Sequence, residues 1–166
     1  MLKGRDLLQR TIIHSSTGKS LGRITDLYLE PKQGIIKGIA VETVQDHSIK
    51  KLSWEKLHVD DEEFQLHDET IEDEVMIQNE ELLEEQSQVL RIADLAGHKV
   101  TTENGKTLGE VGDIIFDPEQ GSIIALEVSD GLFQDLLTGR LQLPWSDVVQ
   151  CSAQTVTVSN NWQDAW

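Results

Sequence analysis

The sequence predicts an all-β protein made of two tandem small β-barrels joined by an acidic linker of helix-forming composition, and three observations carry that prediction. Residues 18–42 read GKSLGRITDLYLEPKQGIIKGIAVE and residues 105–129 read GKTLGEVGDIIFDPEQGSIIALEVS, a displacement of 87 positions with ten of 25 aligned residues identical. Most remaining pairs exchange like for like: Ser20 with Thr107, Ile24 with Val111, Leu27 with Ile114, Glu30 with Asp117. A chain that repeats itself at a fixed displacement repeats a structural unit. The second observation is turn chemistry placed identically in each copy, and the third is the crowding of short β-rich runs between those turns, which suits a small closed or nearly closed barrel.

The elements follow in order. Asn104-Gly105 is a strong hairpin signal, predicted as a type I′ turn in which both central residues take positive φ, and Thr17-Gly18 takes its place in the first copy. After each turn runs a strand, Leu21 to Leu29 and Leu108 to Phe116, closed by Glu30-Pro31-Lys32-Gln33-Gly34 and Asp117-Pro118-Glu119-Gln120-Gly121. Ile35 to Glu42 and Ile123 to Val128 then return as the second arm of a hairpin. The match resumes at Trp54 in LSWEKLHV and Trp145 in LPWSDVVQ, where the displacement has grown to 91 because the second copy carries four extra residues. A last alternating strand follows, Thr155 to Val158 in the second copy, with Phe64, Leu66, Val75 and Ile77 marking strand in the first. The expected boundaries are a first barrel over residues 1–78, a linker over 79–89, a second barrel over 90–161 and a tryptophan-containing tail over 162–166.

At 166 residues the two units are each small, with thin cores. No run approaches the 18 or so apolar residues of a membrane span. The opening MLKGRDLLQR lacks the apolar stretch of a secretory signal, and the single cysteine, Cys151, permits no internal disulfide, so a cytoplasmic protein is expected. The net charge of −16 is shared by both halves, and 14 basic residues scattered among 30 acidic ones give no stripe for a phosphate backbone. Direct nucleic-acid binding is therefore not expected, and a basic protein is the better electrostatic match. From Asp60 to Glu85, 13 of 26 residues are Asp or Glu and none is Lys or Arg, which reads as a solvated edge and linker in preference to a dedicated docking tail.

With these motifs in place, both copies resemble PRC-barrel domains, small β-barrels found in the H subunit of photosynthetic reaction centres and in ribosome maturation factors. The resemblance rests on an ordered set found twice: Gly18-Lys19 and Gly105-Lys106; Gly22 with Asp26 and Gly109 with Asp113; the turn-closing Gly34 and Gly121; and the Trp54 and Trp145 motifs, with LQLPWSDVV especially typical. It implies an adaptor that docks on other proteins and assists a larger assembly. The reaction-centre subunit carries an N-terminal membrane helix, and no such stretch is present here. The maturation factor joins its barrel to an unrelated β-domain, where this sequence has a second barrel.

Catalytic chemistry finds little footing. Asp26 and Asp113 are a carboxylate pair only on paper, being equivalent positions in separate barrels, and an Asp within a β-run commonly caps a bulge or accepts turn hydrogen bonds. Gly22 and Gly109 fit a kink or a close strand approach. Cys151 has no neighbouring Lys, Arg or His in sequence to activate it. His14, His47, His58, His67 and His98 lack zinc-site spacing, and His58, Asp60, Asp61 and His67 are either a weak metal site or surface side chains. GKSLG and GKTLG are not P-loops. No cofactor is expected.

Candidate partner-binding residues lie in the second half. In GLFQDLLTGR, Leu132 with Leu136 and Phe133 with Leu137 pair at i, i+4 spacing, forming either an exposed apolar knob or a lid over a barrel end. Trp162 and Trp166 share that spacing and either dock on their own barrel or anchor a partner. Trp54 and Trp145 read as core. Lys50, Lys51 and Lys56 flank the first Trp motif, whereas Arg140 alone lies near the second, and the second copy is expected to bind.

The expected function is thus a non-catalytic adaptor or assembly factor. Its client is a photosynthetic membrane complex met at the cytoplasmic face or a basic ribosomal protein, and a metal-dependent enzyme is the alternative from another class. Replacing Gly105 with Val should lower the melting temperature of the protein, since a β-branched side chain disfavours positive φ; an unchanged transition would remove the turn from residues 104–105.

Overall fold

The computed structural model describes residues 1–14, 17–59, 64–66, 89–130 and 139–164. The first copy supplies β1 (Leu2–Lys3), α1 (Gly4–Leu7), β2 (Thr11–His14), β3 (Ser20–Glu30), β4 (Ile35–Thr43), β5 (Ile49–Ser53), a 3-10 turn over Trp54–Lys56, β6 (Leu57–Val59) and β7 (Phe64–Leu66). The second supplies β8 (Leu90–Arg91), α2 (Ile92–Leu95), β9 (Lys99–Thr102), β10 (Thr107–Phe116), β11 (Ile123–Ser129), β12 (Leu141–Pro144), a 3-10 turn over Trp145–Asp147, β13 (Val148–Cys151) and β14 (Val156–Val158). The protein is mostly β and forms two sheets of small-barrel type. Their strand orders are β5-β4-β3-β2-β7-β6 and β12-β11-β10-β9-β14-β13. In each sheet the two end strands are consecutive in the chain and joined by the Trp-containing 3-10 turn, which folds the sheet towards closure.

The halves are interlocked, which the reading of two separate barrels does not contain. β3 and β10 are long strands whose first part pairs with β2 or β9, and whose second part would present an open edge. That edge is taken by the other half: β1 pairs with β10 through Leu2 opposite Phe116 and Lys3 opposite Ile115, and β8 pairs with β3 through Leu90 opposite Leu29 and Arg91 opposite Tyr28. An unpaired edge is a liability, and here each copy closes the other's. The turns meet as well. The Ile36 amide donates to the Gly121 carbonyl and the Ile123 amide to the Gly34 carbonyl, both at 2.7 Å.

Packing follows the same exchange. Leu27 and Leu29, with Ile114 and Phe116, point into the cores, and Trp54 of one half meets Phe116 of the other edge-to-face at 5.7 Å. The two cores are one continuous apolar cluster. The opposite faces of β3 and β10 are also covered, so Tyr28, Glu30, Asp113 and Ile115 are buried too. Burial on both faces explains why alternation is lost in LYLE and IIF.

One turn differs from expectation in detail. Gly105 has φ of +88°, but Asn104 does not take positive φ, so the turn is not type I′. The Thr102 amide bonds to the Lys106 carbonyl and the Gly105 amide to the Thr102 carbonyl, both at 2.8 Å, closing a three-residue loop that needs only the glycine left-handed. Of the linker expected over 79–89, only Val89 is among the described residues, where it packs against Tyr28 and Ala40, and the strand residues Val75 and Ile77 lie outside them.

Gly34 and Gly121 show how tightly the halves meet. Each has positive φ, and a Cβ at Gly34 would stand 2.6 Å from the Trp145 ring nitrogen, while one at Gly121 would stand 2.6 Å from Trp54 Cδ1. Gly97 also has positive φ but faces open space. Gly97→Ala should therefore cost about 1 kcal/mol, the backbone term alone, whereas Gly121→Ala should cost about 2–4 kcal/mol because overpacking of the tryptophan is added. Equal losses in denaturant melts of the two variants would show that the Trp54 contact does not hold the halves together.

Candidate functional site

Two places concentrate polar chemistry, and both lie where the halves meet. The first is built on the motif aspartates. β3 and β10 each carry a bulge just before the Asp, at Thr25 and Gly112, which turns Asp26 and Asp113 out of the barrel and towards the other half's helix. Asp113 accepts from the Ile114 amide at 2.8 Å and from the Arg5 amide of α1 at 3.2 Å. Asp26 accepts from the Leu27 amide at 2.8 Å and the Ala93 amide of α2 at 3.4 Å. Each aspartate thus satisfies an otherwise orphan amide in the first turn of the other copy's helix. The helices themselves touch: a Cβ on Gly4 would lie 2.4 Å from Ile92 Cδ1.

Beyond this shared plan the copies differ. Opposite Asp113 on β11 stands Glu127, fully buried, where the first copy has Ala40 opposite Asp26. Glu127 takes Lys3 Nζ at 2.5 Å, Arg140 at 2.7 Å and Arg5 at 3.6 Å. Burial pushes its pKa up, but the hydrogen bonds from Lys3 and Arg140 outweigh that and leave it lowered. Burial raises the Asp113 pKa, against the amides of Arg5 and Ile114. Both carboxylates are thus committed to donors that clasp β1 and α1 onto the second sheet, which is a structural use of their charge. The sequence signal for Glu127 was a lone carboxylate in the apolar run IIALEVS aligned with an alanine; Lys3 and Arg5 gave none, because nothing in sequence ties them to the second copy.

The second place is a groove of about 430 Å³ between Trp54–Val59 of the first half and Pro118–Gln120 of the second. Its floor is apolar, with Leu57 and Trp54 buried and Val59 half-buried, and Glu55, His58 and Glu119 are exposed along it.

The remaining candidates distribute as follows. Trp162 is half-buried against the core and donates from Nε1 to Asp147 at 2.8 Å, so it docks on its own barrel. Trp166, Leu132, Phe133, Leu136 and Leu137 lie outside the described residues, as do Asp60, Asp61 and His67 of the weak metal candidate. Trp54 is buried, and Trp145 is half-buried over Gly34. Gly22 and Gly109 permit close strand approach, since a Cβ there would stand 2.2 Å from the Glu42 carbonyl and 2.3 Å from the Ser129 carbonyl. Gly18 has φ of +68° and faces open space. Burial pushes the Cys151 thiol up to about 11, which keeps it protonated and unreactive at neutral pH. No group of three or more metal-ligating side chains is present among the described residues. No helix among them is long and apolar enough to cross a membrane.

A family model described as the PRC-barrel domain matches the chain twice, over residues 1–68 and 87–164. No curated protein matches it at a significant level.

Removing the Glu127 charge should loosen the clasp and leave three cations without their shared partner. Glu127→Gln is expected to cost about 2 kcal/mol at neutral pH. The folded carboxyl titrates below the free side chain, so this advantage of the native protein is complete above the ordinary glutamate value of about 4.3 and is lost as pH falls through the folded value. Chemical denaturation of both proteins across that range checks it; a difference that stayed constant into acid would mean that the carboxylate charge contributes nothing.

Proposed function

We propose that this chain, which belongs to the PRC-barrel domain family, works as a non-catalytic adaptor or assembly factor through protein contacts. The observation that carries the reading is the family match over both halves, joined to the way the buried carboxylates of the second half are spent. Among the described residues of the second half, Asp113 and Glu127 are buried carboxylates facing each other across β10 and β11, and both are taken up in holding β1 and α1. A scaffold that uses its buried charge to fix two barrels to each other offers a partner a rigid, strongly acidic surface. Net charge of this size speeds encounter with a basic partner and disfavours acidic ones.

Two clients fit that surface, a photosynthetic membrane complex approached from the cytoplasm and a basic ribosomal protein. The same reading places the protein in the cytoplasm. Affinity capture of the tagged protein from its native extract at low salt, with mass spectrometry of what copurifies, tells them apart, since low salt preserves contacts between exposed charges. The expected result is one defined assembly, lost when Leu132, Phe133 and Trp166 are replaced together. Recovery of nothing specific, with the folded bait intact, would set the adaptor reading aside in favour of a small-molecule or metal ligand.

A further inference from the structure

We infer that the groove between the Trp54 turn and the Pro118 turn is a docking site for an extended protein segment that carries an apolar side chain flanked by lysine or arginine. The inference rests on the adaptor reading and supplies the chemistry of the partner. The groove exists only because the halves interlock: one wall is the 3-10 turn and β6 of the first copy, the other is the turn that closes β10 in the second. Trp54 is fixed from behind by Gly121 and Phe116, so the apolar floor is preformed. Binding there would cost little ordering of the receptor.

Charge selects the occupant. Glu55 stands on one wall and Glu119 on the other, both exposed, while Lys56 of the same turn lies outside the opening. The near-symmetry of the molecule provides an internal comparison. The positions equivalent to Glu55 and Glu119 around Trp145 are Ser146 and Lys32, both exposed, so the second groove position lacks the paired carboxylates and carries a cation instead. The acidic lining is therefore a property of this groove and not of the repeat. Val59 and Leu57 offer the floor that an apolar side chain between two cations would cover.

The test uses the full chain and a fluorescein-labelled pentapeptide, Gly-Arg-Leu-Arg-Gly, with Gly-Glu-Leu-Glu-Gly as its charge-reversed counterpart, in fluorescence anisotropy at low ionic strength. The basic peptide should bind and the acidic one should not. Glu55→Lys with Glu119→Lys should weaken the basic peptide about tenfold or more, and the milder Glu55→Gln with Glu119→Gln should also weaken it. Glu103→Lys with Glu110→Lys, two exposed acids elsewhere that change net charge by the same amount, should leave the affinity within about twofold. Unchanged melting curves show that all variants are folded. Equal weakening by both lysine pairs, or no binding of the basic peptide, overturns the groove assignment. Neither result touches the capture experiment, so an assembly recovered independently of Glu55 and Glu119 would keep the adaptor and remove only this site.

Discussion

The exchange of edge strands between the two copies is the constraint on which the other features depend. β4 and β11 pair β3 and β10 along most of one edge, but on the other edge their own copy reaches only the first part, and each has its second part completed by two residues from the other copy. Those two-residue strands could not hold alone, since so short a pairing gains little against the entropy of ordering the chain. They are held because α1 and α2 follow at once and are fastened by Asp113 and Asp26, and because Leu7, Ile92 and Leu95 enter the shared core. The bulges at Thr25 and Gly112 are part of this arrangement, since without them the aspartates would point along the wrong face of the strand.

From this arrangement the site properties follow. The Trp-bearing turns are walls between the halves because each tryptophan rests on the other copy's turn glycine. The groove beside Trp54 is thereby a joint product of two copies, and its acidity is a joint product of Glu55 and Glu119. The buried charge at Glu127 has the same origin. A carboxylate on β11 is tolerated in a dry position because Lys3 and Arg5 arrive from the first copy and Arg140 from its own, and an isolated barrel would have to bury it against fewer partners.

Much of the architecture was legible in sequence because it is local. The repeat, the turn-closing Gly34 and Gly121 and the strands between them depend on neighbours along the chain, and the long strands were placed to within one residue of where they lie. The turn at Asn104-Gly105 was located but mistyped, since a glycine in the left-handed region serves several loop lengths and only the flanking hydrogen bonds decide among them. The exchange was not legible. LYLE and IIF announce a strand covered on both faces, but no periodicity says what covers the second face. Leu2 and Lys3 read as an ordinary terminus for the same reason. Of the site residues, Asp26 and Asp113 were visible as a repeated pair, whereas Glu127 and Glu119 needed the partner strand and the partner turn to acquire meaning.

The difference between Glu127 and Ala40 has a consequence for duplicated chains in a crowded solution. Two copies of similar shape can in principle pair in three ways: first with first, second with second, or first with second. The first-copy terminus brings Lys3 and Arg5, which match the buried acids of the second sheet. The corresponding positions in the second-copy terminus are Arg91 and Ala93, and Arg91 pairs with its own Asp94 over a sheet that keeps an aspartate, Asp26, but has Ala40 in place of the buried glutamate. A second-copy terminus on a second-copy sheet would leave Glu127 short of cations, and a first-copy terminus on a first-copy sheet would leave Lys3 and Arg5 with no glutamate to meet. The charge difference thus works as an address label, directing each terminus to the unlike half and making like-with-like association between neighbouring molecules the less stable choice.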